Sequence, residues 1–313
     1  MNWERDTPPA PSAFDRAQFA INGVGVLRNF LTPSDVRSVQ QAFAWSASHP
    51  GTWSSTVLAG TDGAFFEDHA NPNFLPAYRN LLFATGLCRH LAALIESANL
   101  WLLYEQIWIK PQNSQATPWH QDLPYIPMSG RQLVNAWIPL DPVDSNSALK
   151  FLIGSHTGPL YNPPTFNASD PNELLFFDDG RWPPFPSITE TESAPGDAHL
   201  VELRKFPKSD SKELKWLVRT PVNPSDVVVF HPAIVHGGGE TTTGQVRRSI
   251  SLRFFGDDAV VADRPETGAE RDLRKSRMNT ATSSPIDRLA DARPGTPFRD
   301  PGFLAVVDTT KTS

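Results

Sequence analysis

Cysteine is nearly absent. Cys88 is the only one in 313 residues, so no internal disulfide can form and a reducing compartment fits best. Positive charge is not in excess: 28 Lys and Arg stand against 34 Asp and Glu, a net charge of -6. That balance works against nucleic acid or an anionic membrane as partner, since both select basic faces. No apolar run approaches the roughly 18 residues that a membrane-spanning helix needs. Residues 1–16 are polar, carry Pro8, Pro9 and Pro11, and lack the apolar segment of a signal peptide. These absences predict a soluble cytoplasmic protein with a small-molecule substrate, and leave its oligomeric state open.

What is plentiful is proline, 30 residues, and tryptophan, nine. Proline is excluded from helix interiors and central strands, so short strands joined by stiff loops are expected rather than a helical bundle. The N-terminal third, about 14–98, reads as helices, with a short strand or turn expected over 17–29 around Gly23 and Gly25. Thr32-Pro33-Ser34-Asp35 has a capping threonine, a first-turn proline and an acidic residue suited to the helix dipole. A second helix is expected over 75–98 from Leu81, Leu82, Leu87, Leu91 and Ile95. Cys88 lies in that stretch and reads as a small buried hydrophobe.

From Trp101 the texture changes. Runs at 102–109, 132–140, 148–153, 199–203, 214–220, 227–230 and 247–255 are short and β-rich, punctuated by Pro, Gly, Asn and Asp. That pattern predicts a β-core over about 101–256, as a barrel or sandwich with the helices flanking it. A polar segment, 257–313, follows. One domain spanning 1–313 is the simpler division. Residues 158–198 are long, proline-rich and aromatic (Trp182 among them), and are expected to cover the substrate.

Two histidine segments carry the chemistry. In extended backbone, residues two apart share a side, so His120 and Asp122 can offer an imidazole and a carboxylate to one metal. Two histidines and one carboxylate on one octahedral face leave three positions open, which favours iron(II) and dioxygen chemistry. A lone His-x-Asp is common by chance, so the third ligand matters. Val227-Val228-Val229-Phe230 leads to His231 and then His236, which is followed by three glycines. His236 is preferred because glycine permits close backbone approach, and His231 is its competitor. Eleven residues on, Arg247, Ser249, Ser251 and Arg253 share one strand face. An arginine fork with a nearby hydroxyl suits the distal carboxylate of 2-oxoglutarate. The bland alternative is a solvated basic edge strand.

These residues stand in a longer pattern. It begins with Gly23-Val24-Gly25-Val26-Leu27-Arg28-Asn29-Phe30-Leu31 and Trp119-His120-Gln121-Asp122-Leu123. It continues with Ala136-Trp137-Ile138-Pro139-Leu140, Gly154-Ser155-His156, Gly196-Asp197, Phe230 to Gly237, and Arg247 to Asp258. Over about 14–265 the sequence resembles the phytanoyl-CoA dioxygenase family of iron(II)- and 2-oxoglutarate-dependent oxygenases. The resemblance implies a mainly β double-stranded β-helix (jelly-roll, cupin-like) core. It implies iron on His120, Asp122 and His236, 2-oxoglutarate on Arg247, and Trp137 beside the site. Some relatives hold the cosubstrate with an upstream lysine. None precedes Lys110 here, so Lys110, Gln106 and Ser249 are candidate substitutes. Asp122 is retained, which favours hydroxylation over the halogenation seen in relatives that lack the carboxylate. Tyr125, Trp137 and Trp182 are the candidate substrate contacts, and a small, mainly apolar molecule is the expected substrate. A metal-binding jelly-roll protein without redox chemistry, such as an isomerase or sensor, is the alternative. It would not need Arg247.

Overall fold

The structure, a computed structural model, describes residues 9–164, 182–185, 199–200, 216–219, 221–264, 285–289 and 292–309. Most of the expected covering segment, 158–198, therefore lies outside the described residues.

Helix α1 (Ala13–Asn22) opens on a reciprocal cap between Ser12 and Asp15. The same device, Thr32 with Asp35 and Pro33 in the first turn, opens α2 (Pro33–Ser48). The single helix expected over 75–98 is two, α3 (Leu75–Phe83) and α4 (Leu87–Leu94). Gly86 between them has φ +78, a left-handed conformation that ends one helix and starts the next. Cys88 is buried on α4, and burial pushes its thiol up to about 12, leaving it inert.

The N-terminal third is less helical than expected. Strands β1 (Val24–Leu27), β2 (Ser55–Val57) and β3 (Phe65–His69) lie between the helices. All three join an eight-stranded antiparallel sheet with β4 (Leu100–Lys110), β7 (Leu133–Pro139), β11 (Val227–Phe230) and β13 (Arg247–Phe255). The order is β1-β11-β7-β13-β4-β3-β2, and β15 (Leu304–Val307) adds to β4. A second sheet orders β5 (Thr117–His120), β12 (His236–Gly238), β8 (Leu149–Leu152), β10 (Trp216–Arg219) and β9 (His199–Leu200). A short pair joins β6 (Met128–Ser129) to β14 (Val260–Val261). Two facing antiparallel sheets with flanking helices form the jelly-roll core. Among the described residues, no helix is long and apolar enough to cross a membrane.

Strand period divides the two faces of the large sheet. Ile250, Leu252 and Phe254 of β13, with Ile107, Val134, Ala136, Ile138, Val227 and Val229, pack against Val39, Phe43, Leu81, Leu82, Leu87 and Leu91 of the helices. Arg247, Ser249, Ser251 and Arg253 point the other way and are all buried. Strand β13 lies between β4 and β7, so it is a central strand and not a solvated basic edge. Arg248, on the helix side, donates to the Asp141 carboxylate at 3.0 and 2.6 Å. The polar C-terminal segment also contributes to the core. Its strand β15 extends the sheet, and Phe298 and Phe303 pack on Phe255.

One acid stands apart on the helix side of β4. Glu105 is 2% exposed, and its Oε1 accepts from Asn71 N at 2.9 Å. Burial pushes its carboxyl up to about 8 from an ordinary 4.5. Between those values the unfolded chain has released a proton that the folded chain retains, so stability falls as pH rises through this window. Glu105→Gln keeps the acceptor and removes the titration. It should raise stability at pH 8 relative to pH 5 by at least about 1 kcal/mol, or roughly 2–4 °C in melting temperature. Thermal melts of both proteins at the two pH values test this, and an equal shift at both would refute it.

Candidate metal centre

Strand β5 ends at His120 and strand β12 starts at His236, and the two histidines are direct cross-strand partners. Their rings lie 4.2 Å apart between centroids. Asp122 follows at the turn after β5, where its N–H donates to Pro232 O at 2.9 Å. Its Oδ1 is 3.5 Å from His120 Nε2 and 3.9 Å from His236 Nε2. These spacings are slightly wider than the ~3 Å expected for ligand atoms on bonds of about 2.1 Å at right angles. A modest contraction would close the set around an ion.

The rest of each ligand is already tied. His120 Nδ1 faces Pro118 O at 2.8 Å and His236 Nδ1 faces Ile234 O at 3.0 Å. A carbonyl accepts only, so each Nδ1 carries the proton and each Nε2 lone pair turns to the shared centre. Burial, and then the neighbouring His120, lower His236 to about 3, so its ring is neutral. Phe230 and Phe151 flank that ring at 4.8 and 5.8 Å. Asp122 Oδ2 accepts from Asn135 Nδ2 at 2.7 Å and lies 3.2 Å from Arg253 Nη2. Burial alone would raise this carboxyl. The Arg253 guanidinium, followed by contact with His120, outweighs burial and holds it well below the usual carboxylate range. Two imidazole nitrogens and one carboxylate oxygen, all within 4.8 Å of one another, fit the three-ligand face of a non-haem iron(II) site.

His231, the competing third ligand, is directed elsewhere. Its Nδ1 accepts from Ala233 N at 3.1 Å and its ring meets His156 at 5.4 Å. Arg247 is 5% exposed, donates from Nη1 to Ser147 O, and is lowered to about 10 by burial. Gly238 lies directly on it: a Cβ there would come within 2.9 Å of Arg247 Nη2. Two residues of β12 thus separate His236 from the guanidinium, roughly 7 Å along the strand. Lys110 is the register partner of Arg247. Its Nζ donates to Gln115 O at 2.7 Å and Gly239 O at 3.3 Å. Among the described residues, neither cation is ion-paired with a carboxylate.

The other expected residues fall in three places. Ser249 and Gln106 lie on the site face, with Gln106 Nε2 donating to Glu67 Oε2. Trp137 is buried on that face beside Phe230, while Tyr125 sits in the turn after Asp122 and donates to Pro164 O at 2.7 Å. Trp182 packs under the Arg264 guanidinium at 5.3 Å. Three residues with structural claims on the site were not expected: Asn135, Arg253 and Gln121. Gln121 donates to Ala233 O and Pro159 O and accepts from Tyr161 N, which staples the Asp122 turn to its neighbours.

Residues 19–249 match the family model described as Phytanoyl-CoA dioxygenase (PhyH). The chain belongs to the phytanoyl-CoA dioxygenase family. Human peroxisomal phytanoyl-CoA dioxygenase is 26% identical over 178 residues, 55% of this chain and 44% of that protein. The chain thus spans about half the length of the curated relatives it matches. Among solved structures, the fold is similar to a non-heme alpha ketoglutarate dependent epimerase, SnoN, from nogalamycin biosynthesis. Its TM-score is 0.62 at 19% identity, covering 93% of this chain and 96% of that one. It is also similar to the carbocyclase SnoK from the same biosynthesis, with TM-score 0.61, 18% identity, and 94% and 96% covered.

Truncating the site should separate ligands from bystanders. His120→Ala, Asp122→Ala and His236→Ala should each abolish tight iron(II) binding in anaerobic titration, while His231→Ala should retain it. Asn135→Ala leaves the ligands in place but loosens the carboxylate, and should weaken iron(II) by about 10–100-fold. Iron affinity unchanged in Asn135→Ala would deny that residue its orienting role.

Proposed function

We propose that this chain is an iron(II)- and 2-oxoglutarate-dependent dioxygenase that oxidises, by hydroxylation, an unactivated C–H bond of a small, mainly apolar organic molecule of secondary metabolism. The observation that carries the reading is the pairing of two features on one interior face. One is the His120, Asp122 and His236 donor set. The other is the buried Arg247 guanidinium, which has no carboxylate partner among the described residues. A metal-binding jelly-roll protein without redox chemistry has no use for the second feature.

Iron(II) bound to the three ligands supplies the open positions at which 2-oxoglutarate and dioxygen meet, and the oxidising power drawn from decarboxylation to succinate. The chain's own residues do the rest. Arg247 receives the distal carboxylate, and the roughly 7 Å between it and His236 suits a five-carbon diacid lying along β12. Lys110 holds the Gln115 and Gly239 carbonyls beside Arg247, where burial, and then the Arg247 charge, push its ammonium well below the ordinary range. Ser249, next along the face, offers a hydroxyl. Asn135 and Arg253 keep Asp122 Oδ2 occupied, so Oδ1 alone faces the ion. Phe151, Phe230 and Trp137 keep water from the metal-facing side of β12 and β7. SnoN and SnoK are described as an epimerase and a carbocyclase, so the fold also serves outcomes other than oxygen insertion. Asp122 completes the ligand set and so sets halogenation aside; among the remaining outcomes hydroxylation is taken as the default.

Two measurements test this. Anaerobic iron(II) and 2-oxoglutarate together should give a visible charge-transfer band, and oxygen should then be consumed with succinate formation. Arg247→Ala should raise the KM for 2-oxoglutarate by the equivalent of about 2–5 kcal/mol while iron(II) still binds. A normal KM in Arg247→Ala, or no band in the wild type, would refute the assignment.

A further inference from the structure

Beyond the three ligands, the site face carries open hydrogen-bonding atoms on Arg253 and Gln106 that the reaction described above does not use. Strand register puts Arg253 opposite Tyr104 on β4 and Asn135 on β7, and Gln106 opposite Ser251 on β13 and His69 on β3. Gln106 and Arg253 are therefore diagonal neighbours on one face, close enough for long side chains to converge. Arg253 spends Nη2 on Asp122, but its Nε and Nη1 are buried with no hydrogen-bond partner among the described residues, and so is Gln106 Oε1. The side chain of Arg253 is 9% exposed and Gln106 is 6% exposed. Buried donors and acceptors are normally paired, and exceptions call for a missing partner. Two donors and one acceptor left open beside the metal ligands ask for a ligand group that can both accept and donate.

The rings around them narrow the choice. Arg253 Cζ lies over the Tyr104 ring at 4.9 Å. Tyr104 meets His69 at 5.5 Å, and His69 stacks on Trp53 at 5.8 Å. The row runs from Trp53 and His69, both part-exposed, inward to Arg253 and Asp122. Hydrogen-bonding capacity decides the rest. The open atoms are two donors on Arg253 and one acceptor on Gln106, while Arg253 already spends Nη2 on Asp122 at 3.2 Å. A carboxylate or phenolate would leave the Gln106 oxygen without a donor, whereas a neutral hydroxyl accepts from one residue and donates to the other.

We propose that Arg253 and Gln106, walled by Trp53, His69 and Tyr104, form a substrate subsite for a neutral aromatic hydroxyl, with the phenolic oxygen accepting from Arg253 and its proton donated to Gln106. The substrate is then an aromatic molecule, apolar in bulk, that is held by one phenol close to the metal. This deepens the dioxygenase reading, since it names the substrate class of the same pocket. It also excludes the 2-oxoglutarate carboxylate from Arg253 and leaves that group to Arg247.

The experiment uses the full chain with iron(II) and 2-oxoglutarate under nitrogen, and measures dissociation constants for 2-naphthol and naphthalene by tryptophan fluorescence. The wild type should prefer 2-naphthol at least tenfold. Arg253→Lys retains a cation for Asp122 but loses Nε and Nη1, and should reduce the preference to less than twofold. Gln106→Leu should do the same with iron(II) affinity unchanged. It remains decisive if Arg253→Lys fails to fold, because Gln106 hydrogen-bonds Glu67 and not a metal ligand. Trp53→Ala should weaken both probes. Equal affinity of the wild type for the two probes would overturn the proposal. So would a preserved preference in Gln106→Leu, or lost 2-oxoglutarate affinity with preserved preference in Arg253→Lys. A preference for 2-naphthol in a chain that shows no charge-transfer band would uphold the subsite and sink the dioxygenase reading instead.

Discussion

A carboxylate taken out of water must be matched by charge and hydrogen bonds, and the Asp122 carboxylate is the group on which this site depends. Removing one partner of such a buried pair typically costs about 3–5 kcal/mol, because the other is left uncompensated. Both donors to Oδ2 come from the large sheet, Asn135 from β7 and Arg253 from β13, and these two residues are register partners. The carboxylate is thus oriented by strand pairing rather than by its own loop. Only with Oδ2 held does Oδ1 stand opposite both histidine nitrogens.

That dependence runs back to side-chain alternation. A slip of one residue between β13 and β7 would turn every side chain of β13 to the other face. Arg247, Ser249, Ser251 and Arg253 would then enter the helix-facing core, and Ile250, Leu252 and Phe254 would enter the metal pocket. Burying two unpaired guanidinium groups among Leu81, Leu87 and Leu91 is prohibitive, so the apolar core and the polar site enforce the same register. The energy that packs α2, α3 and α4 on the sheet is also what aims the site.

Much of this was legible in the residues. The β13 alternation, the His-x-Asp pair and the Thr32 cap are local patterns, and each has a local physical cause. What escaped was non-local or turned on a single residue. The helix expected over 75–98 broke at Gly86, because apolar spacing continues across a left-handed residue that the backbone does not. Strands β2 and β3 are short, and they acquire their identity only by pairing with β4. Asn135 could have been noticed as the one polar residue in Leu133-Val134-Asn135-Ala136-Trp137, where a buried amide needs a partner. Alternation puts Arg253 on the site face but names no partner for it, since Asp122 lies far away in sequence. For Gln106 and Lys110, both read as candidate cosubstrate contacts, no local pattern announced the Glu67 carboxylate or the Gly239 carbonyl that they bind.

The two ends of the pocket differ chemically. At one, Arg247 is a buried guanidinium with no carboxylate ion-paired to it among the described residues, while burial and the Arg247 charge push the Lys110 ammonium well below its ordinary range. At the other, the Arg253 guanidinium is already engaged by Asp122 at 3.2 Å. A diacid therefore gains more by directing its free carboxylate toward Arg247 than toward an arginine already spent on a metal ligand. A neutral aromatic hydroxyl has the opposite preference, since it can satisfy both the open N–H groups of Arg253 and the open Gln106 oxygen. Burial strengthens the sorting, because the low local dielectric that makes an unpaired guanidinium costly also deepens the well for the one anion that fits it.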